Sequence, residues 1–430
     1  MIRIDDRSFD RAAMAEASAR IADIHDFHPG GRYAVCLADT AEWLAALFAL
    51  KEMNASVLPI NPAMPREAAR ALARRAGCEH LILHGGHAER LGPPAASPGA
   101  EGRLLQMSSG TTGAPKCVAR SWSDVDTEIR TYVATFREPE GMTPVVACPT
   151  THAYGLICGV LVGLARGAVP IVVNTDNPKQ LLRLLLETEK PLLYSSPAML
   201  NTLARLMPAD RTIHAVMTSG TLLPEAWFSR IRASADHLFQ QYGCSEAGCI
   251  AINPDLRSAE DMGFVLPHLA LRDPGSEAAP AEIVVTGASG DIRTRDLGYR
   301  RDDGMLVFTA RLDDTINVAG LNVYPSEVED VVMTMPRVTD AVAFRKMDPV
   351  AGERVALVFS ASAALAPHDV RAFCAERLAR HQLPMEILQV RQVPRQANGK
   401  ISRREVAALH ATGKLAMVGA HDAEAAFHDA

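Results

Sequence analysis

Between residues 32 and 83, short apolar segments alternate with longer segments whose apolar residues recur at helical spacing. The pattern predicts strands at 33–37, 57–60 and 80–83 and helices at 40–53 and 65–76. A strand, a helix and a further strand in this order form a crossover connection, which joins parallel strands. Thr40 precedes the first helical segment and is expected to cap it. The chain is therefore predicted to contain an α/β layer with a largely parallel sheet.

Length and composition limit the class of protein. The chain has 430 residues, 48% of them hydrophobic and 22% charged, which is typical of a soluble globular protein of two or more domains. A net charge of −6 gives no basis for a nucleic-acid or anionic-membrane partner. We find no membrane-spanning apolar run and no signal-peptide pattern. The eight cysteines lack a Cys-x-x-Cys pair, so a reducing cytoplasm is the predicted location.

A loop rich in glycine and hydroxyl residues follows an apolar segment at Leu104-Leu105. Its sequence is Ser108-Ser109-Gly110-Thr111-Thr112-Gly113-Ala114-Pro115-Lys116. Glycines let backbone N–H groups approach an oxyanion, hydroxyls add donors, and Lys116 supplies a positive charge. The spacing differs from the Walker form of phosphate loop. The composition suits a loop over a triphosphate, although a flexible linker has a similar composition.

The loop resembles the one that defines the adenylate-forming superfamily, which includes acyl-CoA synthetases, aryl-CoA ligases and adenylation domains. These enzymes react a carboxylate with ATP to give an acyl-adenylate and pyrophosphate, and most then acylate a thiol. The resemblance implies that the ATP phosphates bind Ser108, Ser109, Gly110, Thr111, Thr112, Gly113 and Lys116.

The segment Pro149-Thr150-Thr151-His152-Ala153-Tyr154-Gly155 resembles the Pro-x-x-His-x-x-Gly segment of acyl- and aryl-CoA ligases. The resemblance assigns His152 a catalytic position near the substrate carboxylate; by itself, His152 could instead be a structural cap of the next helix. The predicted acid pocket comprises His152, Tyr154, Ser195 and Gly220. No aspartate stands where adenylation domains pair the substrate ammonium, which disfavours an α-amino acid.

Two further segments resemble the adenine-binding turn and the Tyr-Gly-x-Thr-Glu segment of the superfamily. They contain Ser219-Gly220-Thr221 and Tyr242-Gly243-Cys244-Ser245-Glu246. The resemblance implies that these residues bind ATP, with Tyr242 stacking on adenine and the Ser245 hydroxyl reaching the α-phosphate. Glu246 is the predicted Mg²⁺ ligand.

Near the end of the large domain, Asp296 and Arg311 match the residues that contact the ribose and the nucleotide. Arg295 and Ala310 each replace a glycine of the family pattern, which could weaken ATP binding if the backbone needs a positive φ there. Asp313 matches the hinge residue about which the small C-terminal domain of family members rotates. Lys400, in an Asn-Gly-Lys-Ile loop, matches the lysine that bridges the carboxylate and the α-phosphate, where a cation offsets charge repulsion.

The predicted architecture is α/β, with a large N-terminal adenylation domain of layered sheets and helices at 1–312. A small mobile α+β domain follows at 313–410, and 411–430 is predicted to be a flexible tail. The substrate is a small carboxylic acid, aryl or short acyl. The acceptor thiol belongs to CoA or to the phosphopantetheine of an acyl or peptidyl carrier protein. Two alternatives stay open: transfer of the adenylate to an amine, and a degenerate nucleotide-binding or carrier-docking protein.

Overall fold

The computed structural model describes residues 1–25, 27–83, 87–92, 101–108, 116–175, 177–220, 222–318, 321–348, 352–396 and 401–418. Among these residues, no helix combines the length and the apolar character needed to cross a membrane.

The first third of the chain builds one sheet and part of another. Its strands are β1 Ile2–Ile4, β2 Arg7–Phe9, β3 Arg32–Cys36, β4 Ser56–Pro59, β5 His80–Leu83, β6 His87–Arg90, β7 Arg103–Ser108 and β8 Lys116–Ser121. Its helices are α1 Arg11–His25, α2 Thr40–Glu52, α3 Arg66–Arg75 and α4 Trp122–Thr135. The first sheet has the strand order β6-β5-β3-β4-β7-β8. β3 pairs in parallel with both β4 and β5, so the predicted parallel α/β layer is confirmed.

The central part of the chain forms a larger sheet. Its strands are β9 Thr143–Val146, β10 Ile171–Val172, β11 Pro191–Tyr194, β12 Ile213–Ser219, β13 Ala235–Cys244, β14 Gly248–Asn253, β15 Asp261–Val265, β16 Ala270–Arg272, β17 Ala281–Gly287, β18 Gly290–Arg300 and β19 Leu306–Arg311. Its helices are the π-helix Tyr154–Leu161, α5 Val162–Ala165, α6 Pro178–Glu187, α7 Pro197–Leu206 and α8 Glu225–Ala233. The order is β16-β17-β18-β19-β15-β14-β13-β12-β11-β9-β10-β1-β2. Strands β9 to β13 are parallel, whereas β13 to β19 are paired antiparallel.

The last part of the chain contains the small sheets. Its strands are β20 Ile316–Val318, β21 Leu321–Val323, β22 Val338–Asp348, β23 Gly352–Ala361 and β24 Glu386–Gln389; its helices are α9 Pro325–Met333, α10 Pro367–Ala375, the 3₁₀ helix Arg380–Gln382 and α11 Arg403–Ala411. The sheet β22-β23-β24 carries helices α9, α10 and α11. Residues 412–418 lie against this sheet, where Met417 pairs with Val390. The division at 312 and 313 stays a prediction.

The main core lies between the two large sheets. It joins β3 to α2, α4, the π-helix and β9. Trp43, Leu44 and Leu47 of α2 are at most 2% exposed, because most faces of this helix pack into the core, whereas Glu42 and Glu52 stay exposed. Its cap is Asp39, whose Oδ1 accepts the N–H groups of Ala41 and Glu42 at 2.7 and 3.1 Å. Thr40, predicted as the cap, is the first helical residue.

Candidate active site

Most of the predicted site residues lie at the carboxyl ends of four neighbouring parallel strands. The neighbouring strands lie in the order β13-β12-β11-β9. Tyr242 lies near the end of β13, Gly220 and Ser195 directly follow β12 and β11, and the segment that contains His152 follows β9. Ligands of parallel α/β sheets bind outside this edge, since side chains from several strands converge there. The fold thus brings together residues that are separated by as many as ninety positions in the sequence.

Tyr242 and Asp296 form the best-defined part of the site. The hydroxyl of Tyr242 donates to Asp296 Oδ2 at 2.7 Å, and Arg311 Nε lies 3.2 Å from Asp296 Oδ1. Burial and the nearby Asp296 charge raise the pKa of Tyr242 well above its usual value, so the phenol keeps its proton and donates. Each carboxylate oxygen has two lone pairs, so Asp296 retains capacity to accept hydrogen bonds from ribose hydroxyls.

A β-bulge aims Asp296 into this site. The register between β17 and β18 shifts from Val284 opposite Arg293 to Glu282 opposite Leu297. Within the bulge, the Thr294 hydroxyl donates to the Ile283 carbonyl at 2.8 Å and accepts the Asp296 N–H at 3.1 Å. Bulges commonly re-aim a side chain next to an active site. Nothing in the sequence assigned Thr294 this positioning role, because its two contacts depend on the bulge.

The two departures from the glycine pattern have different structural consequences. Arg295 has a φ of 64°, so the positive φ that a glycine would favour is present, and an arginine adopts it. Its guanidinium pairs with Asp313, with Nη2 2.5 Å from Oδ1. Ala310 is a buried residue of β19 opposite Leu297 and is absent from the positive-φ residues of the described chain. The second departure therefore introduces no backbone strain.

The predicted adenine turn adjoins Tyr242. Ser219 ends β12 directly opposite Gln241 of β13, so Gly220 and Tyr242 are neighbours at the sheet edge. Gly220 has a φ of 92°, which is the left-handed region that glycine adopts at low cost. Thr221 lies outside the described residues. The structure thus sets the predicted base-binding turn beside the predicted stacking ring.

The segment from Gly243 to Glu246 lies in a tight hairpin between β13 and β14. Cys244 pairs with Gly248, and a Cβ on Gly243 would stand 2.0 Å from the Gly248 carbonyl oxygen. Only glycine fits there. Cys244 is largely buried, which raises the pKa of its thiol to about 12, so the thiol stays protonated. Ser245 and Glu246 occupy the turn, half-buried.

Glu246 satisfies the simplest requirement for a metal ligand. Within the described residues, its carboxylate forms no ion pair. These residues also contain no cluster of three or more His, Cys, Asp or Glu that could build an all-protein site. Mg²⁺ usually takes one or two carboxylates and fills its shell with water and phosphate oxygens. A single half-buried carboxylate next to a nucleotide site fits that mode of binding.

The predicted acid-pocket residues surround the start of the π-helix. Tyr154 donates its hydroxyl to the Met217 carbonyl of β12 at 2.6 Å, and its ring lies 5.8 Å from that of Tyr194. Ser195 is fully buried and donates to the Ala147 carbonyl at 3.3 Å. The side chain of His152 is exposed, one residue before the helical turn that Ala153 begins. His152, Tyr154, Ser195 and Gly220 therefore belong to one region, with His152 on its solvent side.

Several predicted residues fall outside the described chain. They are Ser109, Gly110, Thr111, Thr112, Gly113 and Lys400. The ends of the phosphate loop are described: β7 and β8 are antiparallel, and Ser108 pairs directly with Lys116. The loop is thus the connection of a hairpin. The roles assigned to its residues and to Lys400 stay predictions.

Comparisons with known proteins identify the family. Residues 93–295 match the family described as AMP-binding enzyme, and 327–400 match the AMP-binding enzyme C-terminal domain. A 3,4-dihydroxybenzoate–[aryl-carrier protein] ligase from Bacillus anthracis is 41% identical over 377 residues, which are 87% of this chain and 90% of the relative. The chain belongs to the AMP-binding enzyme family. It is an AMP-forming acid–thiol ligase, as the motifs predicted.

More distant relatives share the fold. A 2-succinylbenzoate–CoA ligase from Bacillus velezensis is 24% identical over 92% of this chain and 87% of its own length. The solved structure of o-succinylbenzoate coenzyme A synthetase from Bacillus subtilis, in complex with ATP and magnesium ion, has a TM-score of 0.80 at 21% identity and covers 94% of this chain and 95% of its own. The predicted adenylate-forming architecture, with a large α/β part and a small α+β part, is confirmed.

Proposed function

We propose that this enzyme adenylates a hydroxylated aromatic acid with MgATP and transfers the aroyl group to the phosphopantetheine thiol of a carrier protein. The observation that carries the proposal is the 41% identity, over 87% of the chain, to a ligase named for a dihydroxybenzoate and an aryl-carrier protein. The more distant CoA ligase supports only the coarser statement that an acid is joined to a thiol.

In the first step, a carboxylate oxygen of the acid attacks the α-phosphorus of ATP, and pyrophosphate leaves. Asp296 binds the ribose, held in place by Tyr242 and Arg311 at 2.7 and 3.2 Å. Lys400 offsets the repulsion between the two anions. Glu246 would hold Mg²⁺, which would supply positive charge near the phosphate oxygens. Holding both reactants in line at the edge of the sheet lowers the entropic part of the barrier.

In the second step, the carrier thiol loses its proton and its sulfur attacks the carbonyl carbon of the adenylate. AMP leaves, and a thioester bond replaces the mixed anhydride. The C-terminal part is proposed to rotate about Asp313 between the steps, which would withdraw Lys400 and admit the pantetheine arm. Asp313 contacts both parts of the chain: its carboxylate pairs with Arg295, and its carbonyl accepts from Arg345 Nη2 at 2.8 Å.

Two linked assays test the proposal. Pyrophosphate release is measured with MgATP and a panel of benzoates, short-chain acids and amino acids, for the wild type and Lys400→Ala. Thioester formation is then measured with a phosphopantetheinylated aryl-carrier protein, with CoA, and with an amine. We expect turnover with hydroxybenzoates, its loss in Lys400→Ala, and loading of the carrier. Thioester formation only with CoA, or amide formation, would overturn the assigned acceptor; binding of ATP without pyrophosphate release would indicate a degenerate enzyme.

A further inference from the structure

Arg120 and His268 both lie beside β14: a Cβ on Gly248 would stand 2.4 Å from Arg120 Nη1, and the Leu266 N–H, two residues before His268, donates to the Ile250 carbonyl at 2.8 Å. Arg120 Nη1 and both ring nitrogens of His268 are shielded from solvent and have no hydrogen-bond partner among the described residues. The side chain of Arg120 is only 6% exposed. Buried polar atoms without partners are uncommon and costly in native proteins, so these three nitrogens call for an explanation.

Arg120 also forms a buried ion pair with Glu128, and we refer to Arg120, Glu128 and His268 together as the cluster. Arg120 Nη2 lies 2.5 Å from Glu128 Oε2, and the Glu128 side chain is 1% exposed. Glu128 Oε1 accepts the backbone N–H of Cys249 at 2.8 Å. Arg120 comes from β8 and Glu128 from α4, while Cys249 belongs to β14. The pair therefore ties the strand that follows the phosphate loop to the hairpin that carries Ser245 and Glu246.

Gly248 is the point at which this cluster meets the hairpin. It has a φ of 76°, and a Cβ there would stand 2.3 Å from Glu128 Oε2 and 2.4 Å from Arg120 Nη1. The two charged groups occupy the space where most residues would place a side chain. Gly248 pairs with Cys244 at the base of the hairpin, so the unpaired Arg120 nitrogen lies directly behind the predicted catalytic turn.

The cluster borders the π-helix, because α4, which carries Glu128, packs against that helix. Gln241 Nε2 donates to Cys158 Sγ at 3.2 Å, and Tyr132 donates to Gln241 Oε1 at 3.0 Å. Cys158 belongs to the same hydrophobic core as Val125 and Ile129 of α4. Tyr154 stands four residues before Cys158, on the same side of a π-helix. The π-helix therefore links the cluster to the region that contains Tyr154 and Ser195.

The charge of the cluster restricts what it can bind. The charges of Arg120 and Glu128 cancel. Burial lowers the pKa of His268, so its ring is neutral near pH 7. A second carboxylate would bring an uncompensated charge into this buried position, whereas a hydroxyl would not. A hydroxyl can accept from Arg120 and also donate to Glu128 or to a His268 nitrogen.

We propose that Arg120, Glu128 and His268 form the inner wall of the acid pocket and hydrogen-bond a ring hydroxyl of the aromatic acid. The proposal rests on the proposed function and assigns the residues that select a hydroxylated ring over an unsubstituted one. Sites built to hydrogen-bond a substrate hydroxyl reject analogues that lack it, because the polar groups of the site are then left unpaired.

The test compares kcat/KM for pyrophosphate release with 3,4-dihydroxybenzoate and with benzoate. Arg120→Met removes the guanidinium donors and keeps an apolar side chain of similar length. His268→Phe replaces the imidazole with an aromatic ring that has no nitrogens. Arg301→Met is the matched control, because Arg301 also pairs with a mostly buried carboxylate, Asp261, at 2.9 Å, but in the antiparallel half of the large sheet. Unfolding temperature and the KM for ATP are measured for every variant.

We expect the wild type to prefer the dihydroxylated acid by at least about tenfold, as a hydrogen-bonding subsite requires. Arg120→Met and His268→Phe should reduce this preference by about tenfold or more, while the control leaves the preference unchanged. Equal losses on both acids would show that the cluster only supports the fold and would overturn the inference, with the proposed function intact. If Arg120→Met does not fold, the preference measured for His268→Phe alone tests the inference. Absence of turnover with every acid in the wild type would overturn the proposed function itself.

Discussion

Replacement of Arg295 tests how the bulge that carries Asp296, the predicted ribose ligand, and the predicted hinge depend on each other. This residue combines two features with opposite effects on stability. Its backbone has a φ of 64°, and its side chain pairs with Asp313 at 2.5 Å. Arg295→Gly removes both features, whereas Arg295→Ala removes only the ion pair.

The free-energy cost of the left-handed backbone and the stabilisation by the ion pair are similar in size. A left-handed backbone costs a residue with a side chain about 1 kcal/mol relative to glycine. The ion pair is worth about 0.5 kcal/mol, because the Arg295 side chain is 55% exposed and solvent screens the charges. Arg295→Gly should therefore change the free energy of unfolding by no more than about 0.5 kcal/mol, in the stabilising direction. Arg295→Ala and Asp313→Asn should each destabilise by about 0.5 kcal/mol.

Urea unfolding followed by tryptophan fluorescence measures these differences. The three tryptophans are Trp43, Trp122 and Trp227, all within the predicted large domain, so the signal reports on the part that contains the bulge. If Arg295→Gly and Arg295→Ala proved equally destabilising, the backbone would not be strained and the reasoning would be refuted. Asp313→Asn separates the ion pair from the backbone effect.

The same variants address the hinge. If the C-terminal part rotates about Asp313 after adenylation, the Arg295 contact must break before the thiol reacts. Single-turnover thioester formation from preformed adenylate should then become about twofold faster in Arg295→Gly, which is the effect of about 0.5 kcal/mol on a barrier. Adenylation itself should keep its rate. An unchanged thiol-transfer rate would mean that the ion pair is not broken in the slow step.

Three further predictions concern single side chains. Burial raises the pKa of Asp330 from 3.8 to about 6, so the folded state holds its proton more tightly than the unfolded state and the charged form is destabilising above pH 6. Asp330→Asn should raise Tm at pH 7.5, with a gain that shrinks as the pH falls from about 6 towards 4; a gain independent of pH would contradict this. Tyr242→Phe removes the hydrogen bond to Asp296 and should raise the KM for ATP by about tenfold with the KM of the acid unchanged, as steady-state kinetics would measure. Gly243→Ala brings a Cβ within 2.0 Å of the Gly248 carbonyl, so we expect the hairpin to shift and pyrophosphate release to fall by more than tenfold; wild-type rates in this variant would show that the hairpin geometry is dispensable.

Local patterns anticipated much of the fold. The segments between 32 and 83 form the predicted strands and helices, because strand and helix periodicities are properties of neighbouring residues. Asp303-Gly304, a dipeptide typical of hairpin turns, lies in the turn between β18 and β19, with Gly304 at a φ of 90°. Helix starts were less accurate. Asp39, not Thr40, caps α2. A cap depends on which side chain reaches free N–H groups, and adjacent residues compete for that position.

The sequence by itself determined the class of reaction, the ATP-dependent joining of an acid to a thiol. Its motifs contain the residue types that an acid-activating ligase needs, in the order that such ligases have along the chain. It also predicted the pairing of strands and helices in the first layer. Only the tertiary structure decided how those motifs meet at the carboxyl edge of β9, β11, β12 and β13. The arrangement of Arg120, Glu128 and His268 is equally a product of tertiary structure, since 148 positions separate the first from the last. No local pattern records such contacts: they arise from strand order and register, which the packing of the whole core determines.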